Sequence, residues 1–216
     1  MQKILQYSLL GQSFFLSAGR AVYWEGQRAL VLSDLHIGKG GHFRKAGIPI
    51  PEQVQEEDLS RLGELVGEFD PKKIIVVGDM FHSAANSDLD KFKRWREAHS
   101  QQEVVLVKGN HDILKKEKYG EMGVQLEQDG YGLDNVVFYH QPPETAEGER
   151  FTISGHLHPG ILVEGNGRQR LRLPCFWLPK DCLVLPAFSA FTGLFLVKPQ
   201  AGEKIIAIAD GELIPF

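Results

Sequence analysis

The chain has 216 residues, a length that suits one hydrophobic core, and we expect a single domain over residues 1–216. Hydrophobic residues make up 43% and charged residues 24%, which excludes a disordered or fibrous protein. The net charge of −4 means that any contact with nucleic acid needs a local basic patch. Two cysteines are too few for a disulfide scaffold and no apolar run reaches the roughly 18 residues of a membrane span, so we expect a soluble cytoplasmic protein.

The first half of the chain alternates predicted strands and helices. Short strands with a turn near residues 18–20 occupy the first 28 residues, and apolar runs at 29–32, 74–77 and 104–107 predict buried strands. An amphipathic stretch that starts at Pro51 and ends near Phe69 predicts a helix, as does the stretch 87–98. Such alternation is typical of a parallel sheet with helices packed on it.

The second half is predicted to consist mainly of short strands. Runs at 136–139 and 151–153 are each followed by a histidine, and strands at 161–164 and 168–173 flank an Asn-Gly pair that predicts a hairpin. We therefore expect an α/β protein, a two-layered β-sandwich flanked by helices in the order αββα.

Five predicted strands end in the same kinds of polar residue. In chain order the segments that follow them are Asp34-Leu35-His36, Gly78-Asp79, Gly109-Asn110-His111-Asp112, His140 and Gly155-His156-Leu157-His158. Functional groups gather at the carboxyl ends of strands in α/β sheets, so these side chains should converge on one site. Chance alone gives Gly-His-x-His roughly 0.03 times and Gly-Asn-His-Asp roughly 0.001 times in a chain of this composition.

The residue types indicate a metal centre. Carboxylate, imidazole and amide oxygens suit Mn²⁺, Fe²⁺ or Zn²⁺, and the lack of thiolates argues against a structural zinc site. Seven candidate ligands are too many for one tetrahedral ion. They suit two ions about 3.5–4 Å apart that share a carboxylate, the arrangement that serves phosphoryl displacement.

In their order and spacing these segments resemble the D-x-H, GD, GNH[DE], His and GHxH blocks of the calcineurin-like metallophosphoesterase superfamily. The resemblance implies a two-metal phosphoesterase with one ion on each of two ligand sets and one shared carboxylate. The first set is Asp34, His36 and His158, the second is Asn110, His140 and His156, and the shared carboxylate is Asp79.

The same resemblance implies catalytic roles beside the ions. His111 would be the catalytic histidine, acting on the leaving group, with Asp112 as its orienting partner, and Asn110 would also contact the phosphate. The second block usually reads GDxxD, whereas here His82 stands at its last position. His82 is then either a residue that orients a metal ligand by hydrogen bonding or an ordinary turn residue.

A narrower resemblance covers nearly the whole chain and is to the bacterial DNA ligase-associated metallophosphoesterase family. It is carried by DLHIGK at 34–39, FRxxGxP at 43–49, GHLHP at 155–159, PCF at 174–176 and LPAFxxFTG at 185–193. This resemblance implies hydrolysis of phosphodiester bonds in nucleic acid. It also implies a DNA repair context, in association with a DNA ligase and a helicase-like protein.

Two groups of basic residues are candidates for holding substrate phosphates. Lys39 and Arg44 follow the first metal motif, while Arg168, Arg170 and Arg172 alternate along a predicted strand and should share one face. Solvated loop or strand charges would give the same pattern.

Two other functions remain open on the same motifs. A phosphomonoesterase or nucleotide hydrolase would use the same dinuclear site, and turnover of an aryl phosphodiester against an aryl phosphomonoester would distinguish it. A non-catalytic binding scaffold should have lost the catalytic histidine or several ligands, and all of them are present here.

Overall fold

The computed structural model describes residues 2–41, 47, 53–82, 86–143, 150–165 and 169–216. A seven-stranded sheet holds its strands in chain order. They are β1 Ile4–Leu9, β2 Gln12–Ser17, β3 Ala21–Trp24, β4 Ala29–Leu32, β5 Lys73–Val77, β6 Glu103–Val107 and β7 Val124–Glu127. Neighbours from β1 to β4 are antiparallel and those from β4 to β7 are parallel, so the first sheet has the predicted parallel half.

Helices connect the parallel strands of the first sheet and cover its outer face. They are α1 Gln53–Phe69, α2 Asn86–Ala98 and α3 Lys116–Glu121. The residue alternation in β4 explains the arrangement, because Leu30 and Leu32 pack with helix residues such as Leu62 and Phe92, whereas Val31 faces the second sheet. No helix in the described ranges is long and apolar enough to cross a membrane.

The second sheet has nine strands and contains both parallel and antiparallel pairs. They are β8 Tyr131–Leu133, β9 Val136–Tyr139, β10 Phe151–Ser154, β11 Pro159–Glu164, β12 Arg170–Leu178, β13 Cys182–Val184, β14 Phe195–Leu196, β15 Lys204–Ala209 and β16 Glu212–Pro215. The order is β14-β11-β12-β13-β10-β9-β8, and β15 pairs with β12 and β16. Strands β9, β10 and β13 are parallel neighbours, so their carboxyl ends share one edge.

The main core lies between the two sheets. Trp24 and Val31 of the first sheet pack in one buried cluster with Phe138, Phe176 and other residues of the second. This arrangement confirms the expected α/β sandwich. The described helices α1, α2 and α3 all pack on the first sheet, while the outer face of the second carries a smaller cluster around Cys175.

Most predicted elements are found close to the predicted positions, but the second hairpin strand, expected at 168–173, extends to Leu178 because its last residues pair with β13 and β15. The turn at residues 18–20 separates β2 from β3, and the hairpin strands are β11 and β12, which pair antiparallel. Pro51, the predicted first residue of α1, and the Asn166-Gly167 turn lie outside the described residues.

Candidate metal centre

The polar residues that follow the strands meet where the two sheets share an edge. The segment after β4 is hydrogen-bonded to the one after β5, since the backbone N–H of His36 donates to the carbonyl of Asp79 at 2.9 Å. The two sheets are joined by side chains, because the backbone N–H of His156 donates to Asp34 Oδ2 at 3.1 Å. The expected convergence of strand ends from both halves of the chain is therefore present.

One group of donor atoms comes from Asp34, His36 and His158, and these atoms lie within 4.8 Å of one another. His158 Nε2 is 3.1 Å from Asp34 Oδ1 and 3.5 Å from His36 Nε2. Burial, followed by the charge of Lys39, lowers the pKa of His36 to about 3, so its imidazole is neutral and able to ligate. Asp34 Oδ1 is buried and accepts no hydrogen bond within the described part of the chain, which suits a carboxylate oxygen that binds a cation.

The second group surrounds His140, whose two ring nitrogens have different surroundings. Nδ1 lies 3.0 Å from the carbonyl oxygen of Val77, so Nδ1 must carry the proton that it donates there. In the neutral ring Nε2 then carries a lone pair and no proton. This nitrogen nevertheless lies 3.1 Å from Asn110 Oδ1, 3.5 Å from Asp79 Oδ1 and 3.1 Å from His156 Nδ1. Two oxygen lone pairs facing a nitrogen lone pair are stable only with a cation or a proton between them.

The pKa shifts have the same cause. Burial would lower the pKa of His140, but its hydrogen bond and ion pair with Asp79 outweigh burial and raise the pKa to about 8. Burial would likewise raise the pKa of Asp79, and the contacts with His140 and with the backbone N–H of His111 hold it below its usual range instead. Burial, followed by the neighbouring His140, lowers the pKa of His156. Without an ion, the site places a proton on His140 where a metal would bind.

Asp79 lies between the two groups. Its carboxylate also belongs to a second set of atoms within 4.8 Å, together with Asp34 and His140. Oδ1 accepts the backbone N–H of His111 at 2.9 Å, and Oδ2 is 3.9 Å from His111 Nε2. A carboxylate in this position can contact both donor groups and the residue expected to be catalytic.

The backbone of the site adopts a conformation that L-residues rarely use. Five of the seven expected ligands have a left-handed φ, namely Asp34 at 56°, His36 at 51°, Asp79 at 51°, His156 at 67° and His158 at 50°. Such residues cost energy and cluster at functional sites, and Asp and His tolerate the conformation better than most residues. The sharp turns after the strands aim these side chains at one point.

Motif glycines allow the loops to approach closely. A Cβ on Gly109 would lie 2.3 Å from the backbone nitrogen of Asp79, and one on Gly155 would lie 2.5 Å from the Cβ of Ser33. Neither contact is possible, so the two loops reach their positions only with glycine there.

Asp112 has different contacts from those expected of a partner for His111. Its two carboxylate oxygens accept the backbone N–H groups of Phe81 at 3.0 Å and Gly109 at 2.9 Å, and the side chain is buried. Burial raises its pKa to about 6. These bonds tie the segment after β5 to the segment after β6, so the contacts of Asp112 fit a structural role under the site rather than orientation of the imidazole.

The ring that lies against His111 is that of His82. The two ring centroids are 4.4 Å apart, and the His82 centroid is 5.5 Å from that of His36. The His111 side chain remains 42% exposed, so it faces the open side of the site. The position of His82 at the end of the second block marked it as a candidate in the sequence. Residue spacing did not show that its ring would lie against His111.

Of the expected phosphate-binding residues near the first motif, Lys39 is half-buried beside the site. Burial lowers its pKa, and the charges of Asp34 and Asp79 oppose that shift, which puts the ammonium within the field of both carboxylates. Arg44 and Arg168 lie outside the described residues.

The remaining two arginines lie on a hairpin that extends past the metal-site edge. The strand pairings make β11 run in the same direction as β10, so β11 continues beyond the edge at which β10 ends. Arg170 and Arg172 are on the same face of β12 as Phe176, which is in the core between the sheets. Arg170 Nε is paired with Glu164 Oε1 at 3.0 Å, whereas Arg172 is exposed and makes no ion pair with any described residue.

A supporting segment that the sequence did not indicate as structural runs beside Asp34. The backbone N–H of Phe188 donates to the carbonyl of Ser33 at 2.8 Å, and that of Ser189 donates to the carbonyl of Asp34 at 3.1 Å. The LPAF motif at 185–188 therefore holds the strand end from which the first ligand projects.

That segment is in turn held by an ion pair on α1. Asp58 Oδ1 accepts from Arg61 Nη2 at 2.7 Å and from the backbone N–H of Ala190 at 3.2 Å, and Asp58 is buried. The Arg61 guanidinium lies 4.4 Å from the centroid of the Phe188 ring, and Arg20 Nη1 donates to the carbonyl of Ser189 at 3.0 Å. On an amphipathic helix such charges look solvent-exposed, which is why sequence reasoning missed them.

Comparison with known proteins adds to this geometry. The sequence model of the calcineurin-like phosphoesterase family matches residues 27–179. The crystal structure of the Pseudomonas putida nuclease MPE is 31% identical, with a TM-score of 0.83, over 99% of this chain and 100% of that one. Yfce, a phosphoesterase from E. coli, is 13% identical over 86% of this chain and 96% of that one, with a TM-score of 0.47. No curated protein matches the chain.

The matched region contains every strand end described above, from Asp34 to His158, and the solved nuclease shares the fold over its full length. The donor groups of the site are those that a divalent ion needs. The chain therefore belongs to the calcineurin-like phosphoesterase family and is a metal-dependent phosphoester hydrolase.

Proposed function

We propose that the protein hydrolyses phosphodiester bonds in nucleic acid and that it uses two divalent ions, with Mn²⁺ as the first to test and Fe²⁺ or Zn²⁺ as alternatives. The observation that supports the two-ion part is the set of atoms around His140 Nε2, which suits a second cation in place of the proton that His140 otherwise holds. The support for the substrate is the 31% identity to a nuclease over nearly the whole chain.

In this proposal each ion is held by ligands from both sheets. Asp79 would be the carboxylate shared by both ions. The remaining residues that would hold the first ion are Asp34, His36 and His158, and those that would hold the second are Asn110, His140 and His156. Two such ions, when bound, lower the pKa of a water molecule and stabilise negative charge on the phosphoryl oxygens.

The leaving oxygen is assigned to His111. Its side chain is exposed toward the open side of the site, and its Nε2 is near Asp79 without belonging to either donor group. There the imidazole can donate a proton or a hydrogen bond to the oxygen that departs. Of the basic residues that the sequence offers for holding phosphates, Lys39 and Arg172 are the described candidates, because Arg170 is already paired with Glu164.

The cellular setting is part of the same proposal. The DNA ligase-associated motifs, such as GHLHP at 155–159, support a role in DNA repair, in association with a DNA ligase and a helicase-like protein. The two free cysteines, Cys175 and Cys182, favour a cytoplasmic location.

The proposal is tested by the substrates that the Mn²⁺-loaded protein turns over. We expect cleavage of a single-stranded oligonucleotide and of an aryl phosphodiester, both faster than that of an aryl phosphomonoester. Preference for the monoester or for a free nucleotide would support the monoesterase alternative. Binding of DNA without turnover of any of these substrates would support the scaffold alternative.

A further inference from the structure

A cavity of about 600 Å³ lies between the first half of α2, the segment 113–115 and α3. Its walls combine apolar side chains such as Leu89, Ile113 and Met122 with three lysines and the acidic residues Asp90 and Glu121. Nothing in the two-ion assignment uses any of these residues. A volume of this size suits one nucleoside with its phosphate, since small-ligand sites span roughly 300–1,000 Å³.

The cavity adjoins the catalytic edge through Ile113. The backbone N–H of Ile113 donates to the carbonyl of His111 at 2.9 Å, a tight turn that sets the two residues side by side. The Ile113 side chain is 74% exposed, although its neighbour Asp112 is fully buried. Because Ile113 also lines the cavity, its exposed side chain is an apolar wall that the face of a base could contact.

The rim of the cavity is suited to an anion. Lys118 is paired with Glu121 at 2.7 Å and Lys93 lies 3.9 Å from Asp90, whereas Lys115 makes no ion pair within the described ranges. A chain with a net charge of −4 needs a local positive group to approach nucleic acid, and Lys115 supplies one within four residues of His111. Apolar walls with a free ammonium at the rim match a base and a phosphate.

We propose that this cavity binds the nucleoside on the leaving-group side of the scissile phosphate, with Ile113 against the base and Lys115 near the next phosphate. The side follows from His111, which is assigned to the leaving oxygen and directly precedes the cavity wall. The inference rests on the proposed function, because it needs a nucleic-acid substrate.

The test is a double-mutant cycle in which a side chain of the protein and a base of the substrate are removed separately and together. The substrate is a single-stranded oligonucleotide with one phosphodiester bond, all its other linkages being methylphosphonates. Three versions have the full set of bases, an abasic site on the 5′ side of that bond, or an abasic site on its 3′ side. The ends of the products identify which side leaves, and kcat/KM is measured with Mn²⁺ for the wild type and for Ile113→Ser.

We expect about a tenfold loss when the leaving-side base is removed, the size of one base-stacking contact, and a similar loss for Ile113→Ser on the intact substrate. The two losses should not add, so both proteins turn over the leaving-side abasic substrate equally. A second oligonucleotide restores the phosphodiester next to the scissile bond on the leaving side, and on it Lys115→Gln should flatten the dependence of log KM on log salt by about 0.7. On the substrate with a single phosphodiester bond, Lys115→Gln should leave that slope unchanged. Phe216→Ser, which removes an apolar side chain of similar exposure at the C-terminus, should match the wild type throughout.

Separate outcomes overturn the two proposals. If the wild type cleaves the aryl diester but not the oligonucleotide, the nucleic-acid function is wrong and the cavity assignment with it. If the oligonucleotide is cleaved and the losses add, or if Ile113→Ser keeps the full rate, only the cavity assignment is wrong. In the second case the exposed Ile113 faces another occupant, such as a protein partner.

Discussion

The imidazole of His140 combines a fixed tautomer with a ring nitrogen that faces oxygen atoms. Because its pKa is raised to about 8, Nε2 is mostly protonated at pH 7 when no ion is bound. The imidazoles of His36 and His156 have lowered pKa values, so neither holds a proton that a metal must displace at that pH. Of these three imidazoles, only that of His140 holds a proton that a metal must displace.

Binding of metal at pH 7 should release about one proton from His140. Calorimetric titration of the metal-free protein with Mn²⁺, repeated in buffers of different ionisation enthalpy, measures that number. At pH 9.5 the same imidazole is already neutral, so its contribution should vanish. A heat of binding that does not vary with the buffer at pH 7 would contradict the position assigned to the second ion.

His111→Ala should reduce turnover by roughly 10²–10⁴-fold, the usual size of a general-acid contribution. Both ions should remain, because Asp79 is held by the backbone N–H of residue 111, which alanine retains. Turnover of an aryl diester and metal content per chain are measured together. Loss of metal from this variant would mean that the imidazole is a ligand and that its assigned role is wrong.

For individual residues, the motifs predicted which side chains would converge but not every contact among them. The motifs place Asp34, Asp79 and His140 after strands, and parallel strands bring their ends to one edge, so convergence could be predicted. The partners of Asp112 depend on how two loops approach each other through Gly109, which no local pattern encodes. For the same reason the spacing could not show that His82 lies against His111.

Among the structural elements, the segment 185–190 acts as a brace between α1 and the end of β4. Arg61→Leu should weaken it, since Asp58 would stay buried without its partner. We expect roughly 10–100-fold weaker binding of the first ion, the range for residues that support metal ligands. Lys91→Leu, which removes the ion pair between Lys91 of α2 and the exposed Glu56 of α1, should leave both ions unaffected.

The effect of Arg61→Leu can be assigned to one ion by combining it with ligand variants. In a His140→Ala background, where the first ion is the main one left, the loss should persist in a Mn²⁺ titration. In a His36→Ala background it should be small. Equal losses in both backgrounds would mean that Arg61 supports the fold in general and does not position Asp34.

Gly109 in a loop of the site and Gly67 in α1 have different surroundings, so the same glycine-to-alanine change should affect stability in opposite directions. Gly109→Ala should destabilise the protein by about 1–3 kcal/mol, because the added methyl group meets the backbone of Asp79. Gly67→Ala on the exposed face of α1 meets nothing and should stabilise it by about 0.5–1 kcal/mol through helix propensity. Urea unfolding of both variants without metal measures the difference, and equal effects would contradict the close loop approach.

The helices and strands themselves were well predicted because their signals are local. The β4, β5 and β6 runs are apolar on both faces, since one face meets helices and the other meets the second sheet. By contrast, the partner of each strand is set by long-range contacts. Nothing near β14 in the sequence indicates that it pairs with β11, or that β15 pairs with β12.

For the molecule as a whole, the net charge is negative, so binding of nucleic acid should depend strongly on individual exposed cations. Arg172→Ala should flatten the salt dependence of binding to single-stranded DNA by about 0.7 in the log–log slope, the share of one phosphate contact. Arg170→Ala should change the slope less, because Glu164 already neutralises that guanidinium. Fluorescence anisotropy over a range of salt concentrations measures the slope for each variant. An unchanged slope for Arg172→Ala would mean that Arg172 contacts no phosphate and is an ordinary solvent-exposed charge.

The distribution of ligands between the two sheets has a consequence for how the enzyme is made. In the proposed assignment each ion needs donors from both halves of the chain, and the last of them, His158, is encoded well after Asp34 and His36. A nascent chain still on the ribosome can complete neither ion's ligand set before His156 and His158 have emerged. In that assignment phosphoester hydrolysis begins only once the second sheet has docked, so an unfinished polypeptide is inactive.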